Sequence, residues 1–324
     1  MRDFGMGGIR WLGQFAVGLP ITGEFPQKFL YPADPPTNKR ISTGALYDTA
    51  GSRFRERAAK SGHKNAQLLW GEAMGQVQKG GLFPPAELAP NGRPLSWRSS
   101  DFNIAFRFGA PQQEKLRACD DLKHSTTNMA CFIPTPIQLL SWGRISQLSQ
   151  LMAKHKGDWV LFKADHEAAY KQLPTLPSDM RNAIIALRHP TKGTWRGFVT
   201  RTLIFGSAAD VLRYNVFSRI LAELCIRCLG IPLVIYFDDF AAIIHAQLGP
   251  DALRIFTAFC KALCITLKPG KSSVAGKIVF LGMLGDFPSD SNNRLLSISL
   301  PPEKRAKWSQ LIAGYLKEGR ISHS

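Results

Sequence analysis

The sequence is short of three things: long apolar runs, cysteine and acidic residues. It contains no stretch of about 18 apolar residues, so a membrane-spanning helix is not predicted. Met1 to Gly23 contains charges and glycines where a secretory signal needs a continuous apolar centre. Six cysteines among 324 residues do not suggest a disulfide scaffold. We therefore expect an intracellular protein of the cytoplasm or nucleus, neither secreted nor bound to a membrane.

Acidic residues number 24 against 41 lysines and arginines, which gives a formal charge of +17 at pH 7. Such a surface attracts polyanions and holds a phosphate backbone without reading its sequence. A membrane-surface or ribosomal protein shares this balance, so the charge alone does not name the ligand. With 45% hydrophobic residues, the chain is able to bury a substantial core in one large or two modest domains.

Two adjacent acids, Asp238 and Asp239, interrupt an apolar stretch that otherwise predicts a buried β-hairpin from Leu233 to Ile244. A carboxylate moved into apolar surroundings loses several kcal/mol of solvation. Acids in such a place are therefore expected either at a hairpin tip or at a bound metal cation. Because Asp hydrogen-bonds its own backbone in turns, the two interpretations are nearly balanced for this motif alone.

A third acid, Asp165, ends a second predicted strand, which begins at Trp159. Strands that bring Asp165 and Asp238 to one edge of a sheet would create an oxygen-rich site, suited to Mg²⁺ rather than to zinc or copper. Two such ions, about 3.5 to 4 Å apart, activate an attacking hydroxyl and stabilise the leaving oxygen of a phosphoryl transfer. The acids thus point to two Mg²⁺ ions, with Mn²⁺ as the alternative.

From residue 101 to about residue 285, the segments around these acids resemble a reverse transcriptase in their order and spacing. The matching segments are Ala164 to Pro174, Leu203 to Asn215, Tyr236 to Asp239, Leu267 to Ser272, Phe280 to Gly282 and the basic stretch Glu114 to Asp120. The resemblance implies an α+β fold with the fingers and palm of a right-hand polymerase. It also implies an antiparallel palm sheet backed by helices. The residues of these segments are most similar to those of retroelement enzymes of the tyrosine-recombinase type.

The resemblance also implies which residues carry the chemistry. Asp165 and Asp238 would bridge two Mg²⁺ ions, with Asp239 assisting nearby. A primer 3′-hydroxyl, annealed to an RNA or DNA template, would attack the α-phosphate of a bound deoxynucleoside triphosphate (dNTP). Lys271 would donate a proton to the departing pyrophosphate, and Lys268 is an equally reachable candidate.

A basic strand pair is predicted upstream, where residues 102–108 and 115–119 would pair across a loop that contains Pro111. By position in the resembled motif, Arg117 is the preferred ligand of the triphosphate, because a guanidinium fork matches phosphate oxygens. The second choices are Lys115 and Arg107. The alternative is an exposed hairpin without a ligand.

The remaining implied residues surround the nucleotide. The ring of Tyr170 would leave no room for a 2′-hydroxyl, which selects deoxynucleotides and makes DNA the expected product. Phe205 and Gly206 would shape the pocket, because a residue without a side chain lets the backbone approach the base or sugar closely. Without the motif, Tyr170 would be a core aromatic and Gly206 an ordinary turn residue.

The plainest departure from the family is Asp210, where many relatives have a small or apolar residue. Ser207 to Asp210 fits a capping box, with Asp in the place of Glu, so a structural role for Asp210 is preferred to that of a third catalytic acid. An extra anion near the phosphates would weaken nucleotide binding.

Three regions are predicted: an N-terminal arm and helical extension at 1–100, fingers and palm at 101–290, and the start of a truncated thumb at 291–324. Apolar residues at helical spacing from Trp308 to Leu316 predict a helix in the last region. Other polyprotein domains or a partner chain would supply the rest of the thumb. One alternative is a catalytically silent nucleic-acid-binding remnant. The other is an RNA-directed RNA polymerase, and the ring predicted to exclude a 2′-hydroxyl, that of Tyr170, argues against this one.

Overall fold

The computed structural model describes residues 19, 22–24, 41–60, 65–112, 115–133, 142–155, 157–287 and 295–318. Most of the predicted N-terminal arm, at residues 1–40, lies outside these ranges. The fold is α+β, as predicted, and the chain divides into two compact units. The first unit comprises Met1–Gln138 and Ala168–Phe217, and the second comprises Leu139–Glu167 and Ser218–Ser324. Both units are discontinuous in sequence, whereas each predicted domain is a continuous range of residues. The boundaries of those domains stay a prediction.

Six α-helices form within the described residues. They are α1 (Thr43–Lys60), α2 (Ala66–Gln78), α3 (Trp142–Met152), α4 (Ala208–Leu229), α5 (Gly249–Ala262) and α6 (Pro302–Glu318). The helix predicted near the C-terminus is confirmed as α6, and its Trp308 and Leu316 are exposed. None of these helices combines the length and the apolar character needed to cross a bilayer.

The first unit contains a sheet of five strands in the part of the chain that is described. In spatial order they are β2 (Ala86–Glu87), β8 (Trp195–Val199), β7 (Ile184–Arg188), β3 (Ile104–Gln112) and β4 (Lys115–Asp120). Strands β3 and β7 run parallel, and the other neighbours are antiparallel. A separate parallel pair consists of β1 (Gly23–Glu24) and β5 (Cys131–Phe132). Ile185, Phe198 and Tyr214 belong to the buried core of this unit.

The predicted basic strand pair is confirmed, but its loop is shorter than expected. Pro111 lies inside β3, opposite Leu116 of β4, rather than in the loop. Strand β3 pairs with β7 only from Ile104 to Phe106, so Pro111 lies beyond the segment that has a strand on both sides. A proline, which cannot donate a backbone hydrogen bond, is tolerated at such an edge position.

The second unit contains a four-stranded antiparallel sheet in its described residues. The order is β11 (Ser273–Ala275), β6 (Trp159–Asp165), β10 (Asp239–His245) and β9 (Val234–Tyr236). A second antiparallel sheet has the order β12 (Lys277–Phe280), β13 (Met283–Asp286) and β14 (Ser297–Ser299). The strand predicted to end at Asp165 and the hairpin predicted around Asp238 are both confirmed.

Both faces of β10 are covered, which explains why its sequence is almost continuously apolar. Ala241 and Ile243 share a buried cluster with Ile145 of helix α3. On the opposite face, the ring of Phe240 packs against Phe256 of helix α5, with centroids 6.2 Å apart. Because side chains alternate along a strand, Asp239 lies on the same face as Ala241 and Ile243.

Candidate functional site

The three predicted metal-binding acids lie together in the second unit. Asp165, the last residue of β6, is the direct Cα partner of Asp239, the first residue of β10. Directly opposed residues of an antiparallel pair project from the same face, with Cβ atoms about 4.5 to 5.5 Å apart. Asp238 precedes Asp239 in the turn from β9, and its carbonyl oxygen accepts a hydrogen bond from the His166 N–H at 3.1 Å. The pair in direct register is thus Asp165 with Asp239, and the metal-binding role of the three acids stays a prediction.

Two lysines accompany the acids. The Lys163 Nζ lies 3.8 Å from Asp239 Oδ1, and the Lys268 Nζ lies 3.9 Å from Asp165 Oδ2. The Lys163 ammonium also donates to the Val279 carbonyl oxygen at 3.2 Å. These cations offset part of the mutual repulsion of the carboxylates.

The electrostatics of the site are visible in Asp239. Burial raises the pKa of its carboxyl above the ordinary value, and the Asp238 and Asp165 carboxylates raise it further, while Lys163 and Lys268 oppose the rise. The side chains of Asp239 and Asp165 remain 29% and 16% exposed, so both are open to a ligand from solvent. A divalent cation would relieve the repulsion that raises the pKa of Asp239.

The donor set fits Mg²⁺ better than a softer metal, because it consists of carboxylate oxygens. Within the described ranges, no three His, Cys, Asp or Glu side chains are grouped closely enough to hold a metal ion among themselves. Mg²⁺ is commonly held by one or two carboxylates, with waters and substrate phosphates completing its shell. The opposed pair Asp165 and Asp239 meets that lesser requirement.

The two candidate proton donors differ in their surroundings. Lys268 reaches Asp165 with its side chain, and its backbone N–H also donates to the Asp165 carbonyl oxygen at 2.8 Å. Lys271 is exposed and closes the following turn, where its N–H donates to the Lys268 carbonyl oxygen at 3.2 Å. Of the two lysines, Lys268 thus has the observed contact with the acids, and the proton-donor role of Lys271 stays a prediction.

The predicted phosphate ligands lie on the strand pair β3 and β4 of the first unit. Arg117 is exposed on β4, where a guanidinium is open to an anion from solvent. Lys115 begins the same strand, and its side chain lies outside what the structure describes. Arg107 was a wrong second choice: its guanidinium is buried and pairs with Asp120 at 2.7 and 3.0 Å. Asp120 is its direct cross-strand partner, which explains why a cation is stable there.

The ring of Tyr170 is 6% exposed and belongs to an aromatic cluster of the first unit. It stacks on Tyr214, with centroids 5.0 Å apart and an interplanar angle of 27°. It also contacts Phe205 at 4.7 Å, and Phe205 itself is half-exposed. Tyr170 and Phe205, predicted from two different motif segments, are therefore in contact, with Phe205 as the member that faces solvent.

Contacts within the protein explain why residue 206 is a glycine. Its φ is +95°, and a Cβ atom there would lie 2.7 Å from the backbone oxygen of Asp120. Asn128 clamps the turn, since its Nδ2 donates to the Gly206 carbonyl oxygen and its Oδ1 accepts from the Ala208 N–H, both at 2.9 Å. The predicted approach of this backbone to a nucleotide stays a prediction.

Asp210 is fully buried at the start of helix α4, which supports its structural interpretation. The backbone N–H of Asp210 donates to Ser207 Oγ at 3.2 Å, as a capping box requires. The Asp210 carboxylate, however, accepts the Ile204 N–H at 2.7 Å instead of the N–H of Ser207. Burial raises the pKa of Asp210 to about 7, although the Ile204 N–H and Lys171 counter it.

Sequence reasoning missed Lys163, which contacts Asp239. The signal was present, because residues two apart in a strand share a face and Lys163 stands two before Asp165. It also missed Ser218 of α4, whose Oγ donates to the Phe237 carbonyl oxygen at 3.2 Å. No local pattern links a helix serine to a turn 19 residues later.

Comparisons with known proteins bear on the fold. No family model and no curated protein matches the chain. It is similar to the solved structure of the foamy viral protease-reverse transcriptase in complex with double-stranded DNA, with a TM-score of 0.53 and 13% identity. That match covers 93% of this chain and 53% of the viral chain. A dRH form, also with double-stranded DNA, matches at a TM-score of 0.43 and 14% identity, covering 68% and 34% of the two chains.

The likeness shows that the chain has a reverse-transcriptase-like fold. In the match with a TM-score of 0.53, the chain spans about half the length of the viral chain. The predicted tyrosine-recombinase subtype receives no support from these comparisons.

Proposed function

We propose that this chain carries the polymerase core of an RNA-directed DNA polymerase. The observation that carries the proposal is the register that places Asp165 opposite Asp239, with Asp238 in the adjoining turn. Burial raises the pKa of Asp239, and the Asp238 and Asp165 carboxylates raise it further, so this grouping of acids is unfavourable without a cation. A reverse-transcriptase-like fold gives this costly arrangement a chemical purpose.

In this proposal, Asp165, Asp238 and Asp239 hold two Mg²⁺ ions, and Mn²⁺ is the substitute. Bound Mg²⁺ would activate the primer 3′-hydroxyl and stabilise the leaving oxygen of an in-line displacement at the α-phosphate of a dNTP. Lys268 is placed to balance charge at Asp165. Lys268 or Lys271 would give a proton to the departing pyrophosphate.

By the motif resemblance, further residues would select the nucleotide. Arg117, and by motif Lys115, would bind the triphosphate, because exposed guanidinium and ammonium groups pair with phosphate oxygens. The stacking of Tyr170 on Tyr214 would keep the Tyr170 ring in place against a 2′-hydroxyl. Phe205 would contact the base, with Gly206 setting the turn. These roles are assigned by the motif resemblance, and mutagenesis tests them.

The partners proposed are an RNA or DNA template, a primer and dNTP, with further polyprotein domains or a partner chain completing the thumb. The formal charge of +17 supports a nucleic-acid partner. The solved foamy viral structures hold double-stranded DNA, which supports the same class of ligand. A retroelement origin, and its tyrosine-recombinase subtype, belong to this proposal as well.

Primer extension tests the proposal. A DNA primer on an RNA template is incubated with dNTP and Mg²⁺ at low salt, using the unmutated chain, Asp165→Asn and Asp251→Asn. Asp251 is an exposed acid of the same unit, paired with Arg254 at 3.2 Å, and serves as the matched control. Extension by the unmutated chain and by Asp251→Asn, with loss in Asp165→Asn, is the expected result. Equal extension in all three would refute the site, and preferential extension in a parallel reaction that contains ribonucleotides in place of dNTP would favour an RNA polymerase.

The second candidate function is a nucleic-acid-binding remnant without turnover. The observation that favours it is that Lys163 and Lys268 lie beside Asp239 and Asp165, so ammonium groups partly neutralise acids that a polymerase gives to metal. This candidate predicts salt-sensitive binding of primer–template together with no Mg²⁺-dependent product. Binding at two salt concentrations, measured together with primer extension in the same preparations, separates it from a polymerase: the remnant binds without product, and the polymerase binds and extends.

A further inference from the structure

The turn that presents Asp238 is strained. Phe237 has a φ of +52°, in the left-handed region that a bulky residue rarely adopts. Such a conformation costs about 1–2 kcal/mol, so surrounding contacts must hold it. Asp239 is anchored by strands on both sides, through Asp165 and Tyr236, whereas Asp238 lies between the two strands of the hairpin. The direction of the Asp238 carboxylate therefore depends on the conformation of this turn.

Two hydrogen bonds from other elements reach the turn. The Ser218 hydroxyl of α4 donates to the Phe237 carbonyl oxygen at 3.2 Å. The His166 N–H, from the residue after Asp165, donates to the Asp238 carbonyl oxygen at 3.1 Å. The two donors thus hold the carbonyl groups of the two consecutive peptides that flank Asp238.

Ser218 is suited to hold a fixed geometry. Its side chain is fully buried, so water does not compete for the hydroxyl. His166 is also buried, and its ring packs on Phe240 of β10 with centroids 4.5 Å apart. The turn is thereby tied to Ser218 of α4 and to His166, the residue that follows β6, both of which lie in the second unit.

We infer that Ser218 is a positioning residue for Asp238: its hydroxyl holds the strained Phe237 carbonyl and so sets the carboxylate for divalent-metal binding. The inference rests on the proposed function, because it assigns Asp238 to metal. Partners that orient metal ligands typically contribute about 10- to 100-fold in metal affinity or activity. A purely structural serine would instead contribute to stability and leave metal affinity unchanged.

The test compares Ser218→Ala with Ser149→Ala. Ser149 is a matched control, because it is a buried serine of the same unit whose Oγ accepts the backbone N–H of Leu296 at 2.9 Å. Mn²⁺ is the probe, and its free concentration is read by electron paramagnetic resonance during titration of each variant. The unfolding free energy of each variant is measured by denaturant. If Ser218→Ala does not fold, Ser218→Cys keeps the volume while replacing the hydroxyl by a weak donor.

Ser218→Ala is expected to bind Mn²⁺ about tenfold more weakly, while Ser149→Ala binds as the unmutated chain does, even when both lose similar stability. Primer extension by Ser218→Ala should then recover as Mg²⁺ is raised. Equal Mn²⁺ affinity in Ser218→Ala and the unmutated chain would overturn the inference and leave the polymerase proposal standing. Failure of the unmutated chain both to bind Mn²⁺ and to extend a primer would overturn the two together.

Discussion

Asp165 and Asp239 face each other across neighbouring antiparallel strands, at the edge where the hairpin turn places Asp238. Burial and the neighbouring carboxylates raise the pKa of Asp239, so the charged form of this group is less stable in the folded protein than in the unfolded chain. The stability that Asp239 contributes below its ordinary pKa is lost as pH rises through the folded value. A divalent cation would reverse that cost.

The first prediction concerns Asp239→Asn. Without divalent metal at neutral pH, the variant should be at least as stable as the unmutated chain, because a repelled carboxylate is removed. When Mg²⁺ is about tenfold above its dissociation constant, the unmutated chain should gain about 1.4 kcal/mol in unfolding free energy and the variant less. Denaturant unfolding with and without Mg²⁺ measures both. An equal gain in the two proteins would show that Asp239 does not bind the metal.

The second prediction concerns Tyr170. Tyr170→Val should lower the preference for deoxynucleotides over ribonucleotides by about tenfold or more, because the ring that blocks the 2′-hydroxyl is gone. Tyr170→Phe, which keeps the ring, should retain the preference. The kcat/KM ratio for the two nucleotides measures it. Since Tyr170 stacks on Tyr214 in the core, Tyr170→Val should also cost about 3 kcal/mol or more in stability, and its fold is checked first. An unchanged ratio in Tyr170→Val would remove the sugar-checking role.

The third prediction concerns the pH dependence that Asp210 confers. Its pKa is raised to about 7 by burial, against an ordinary value of 3.8. The unfolding free energy should therefore fall by about 2 kcal/mol between pH 5 and pH 7 on account of this group, at about 1.4 kcal/mol per pH unit below the folded pKa. Asp210→Asn should remove that fall, while keeping an oxygen to accept the Ile204 N–H. Denaturant unfolding at both pH values measures it, and an identical pH dependence in the variant would contradict the assignment.

The fourth prediction separates close approach from backbone strain at Gly206. Gly206→Ala and Gly230→Ala both place alanine at positive φ, but only an alanine Cβ at 206 would meet the Asp120 carbonyl oxygen at 2.7 Å, while position 230 is open. Gly230→Ala should cost about 1–2 kcal/mol. Gly206→Ala should cost at least about 1 kcal/mol more, because the Asp120 backbone must move. Equal losses of stability in the two variants would mean that the backbone around Asp120 moves at no cost.

Much of this site could be predicted locally, because an acid that ends an apolar strand is visible in the sequence. That pattern was enough for the strand that ends at Asp165 and for the hairpin around Asp238, whereas the α+β class was implied by the resemblance. The register that places Asp165 opposite Asp239 could not be predicted locally, because it depends on how two strands distant in sequence align. The same limitation explains Arg107, whose pairing with Asp120 follows from cross-strand geometry.

Other features lay beyond local pattern for a different reason. The left-handed conformation of Phe237 runs against the preference of a bulky residue and is stabilised by Ser218, which comes from another element. Gly206 was predicted to approach a ligand, but the observed close approach is to the Asp120 backbone. In both cases tertiary contacts, rather than local propensity, decide the conformation.

The most direct test of the central claim is the addition of one deoxynucleotide to a primer annealed to an RNA template, with and without Mg²⁺. The unmutated chain and Asp238→Asn are compared after circular dichroism has shown that both are folded. We expect Mg²⁺-dependent product from the unmutated chain and only background from Asp238→Asn. Equal product from the two proteins, or no product from an unmutated chain that still binds primer–template in a salt-sensitive manner, would contradict it.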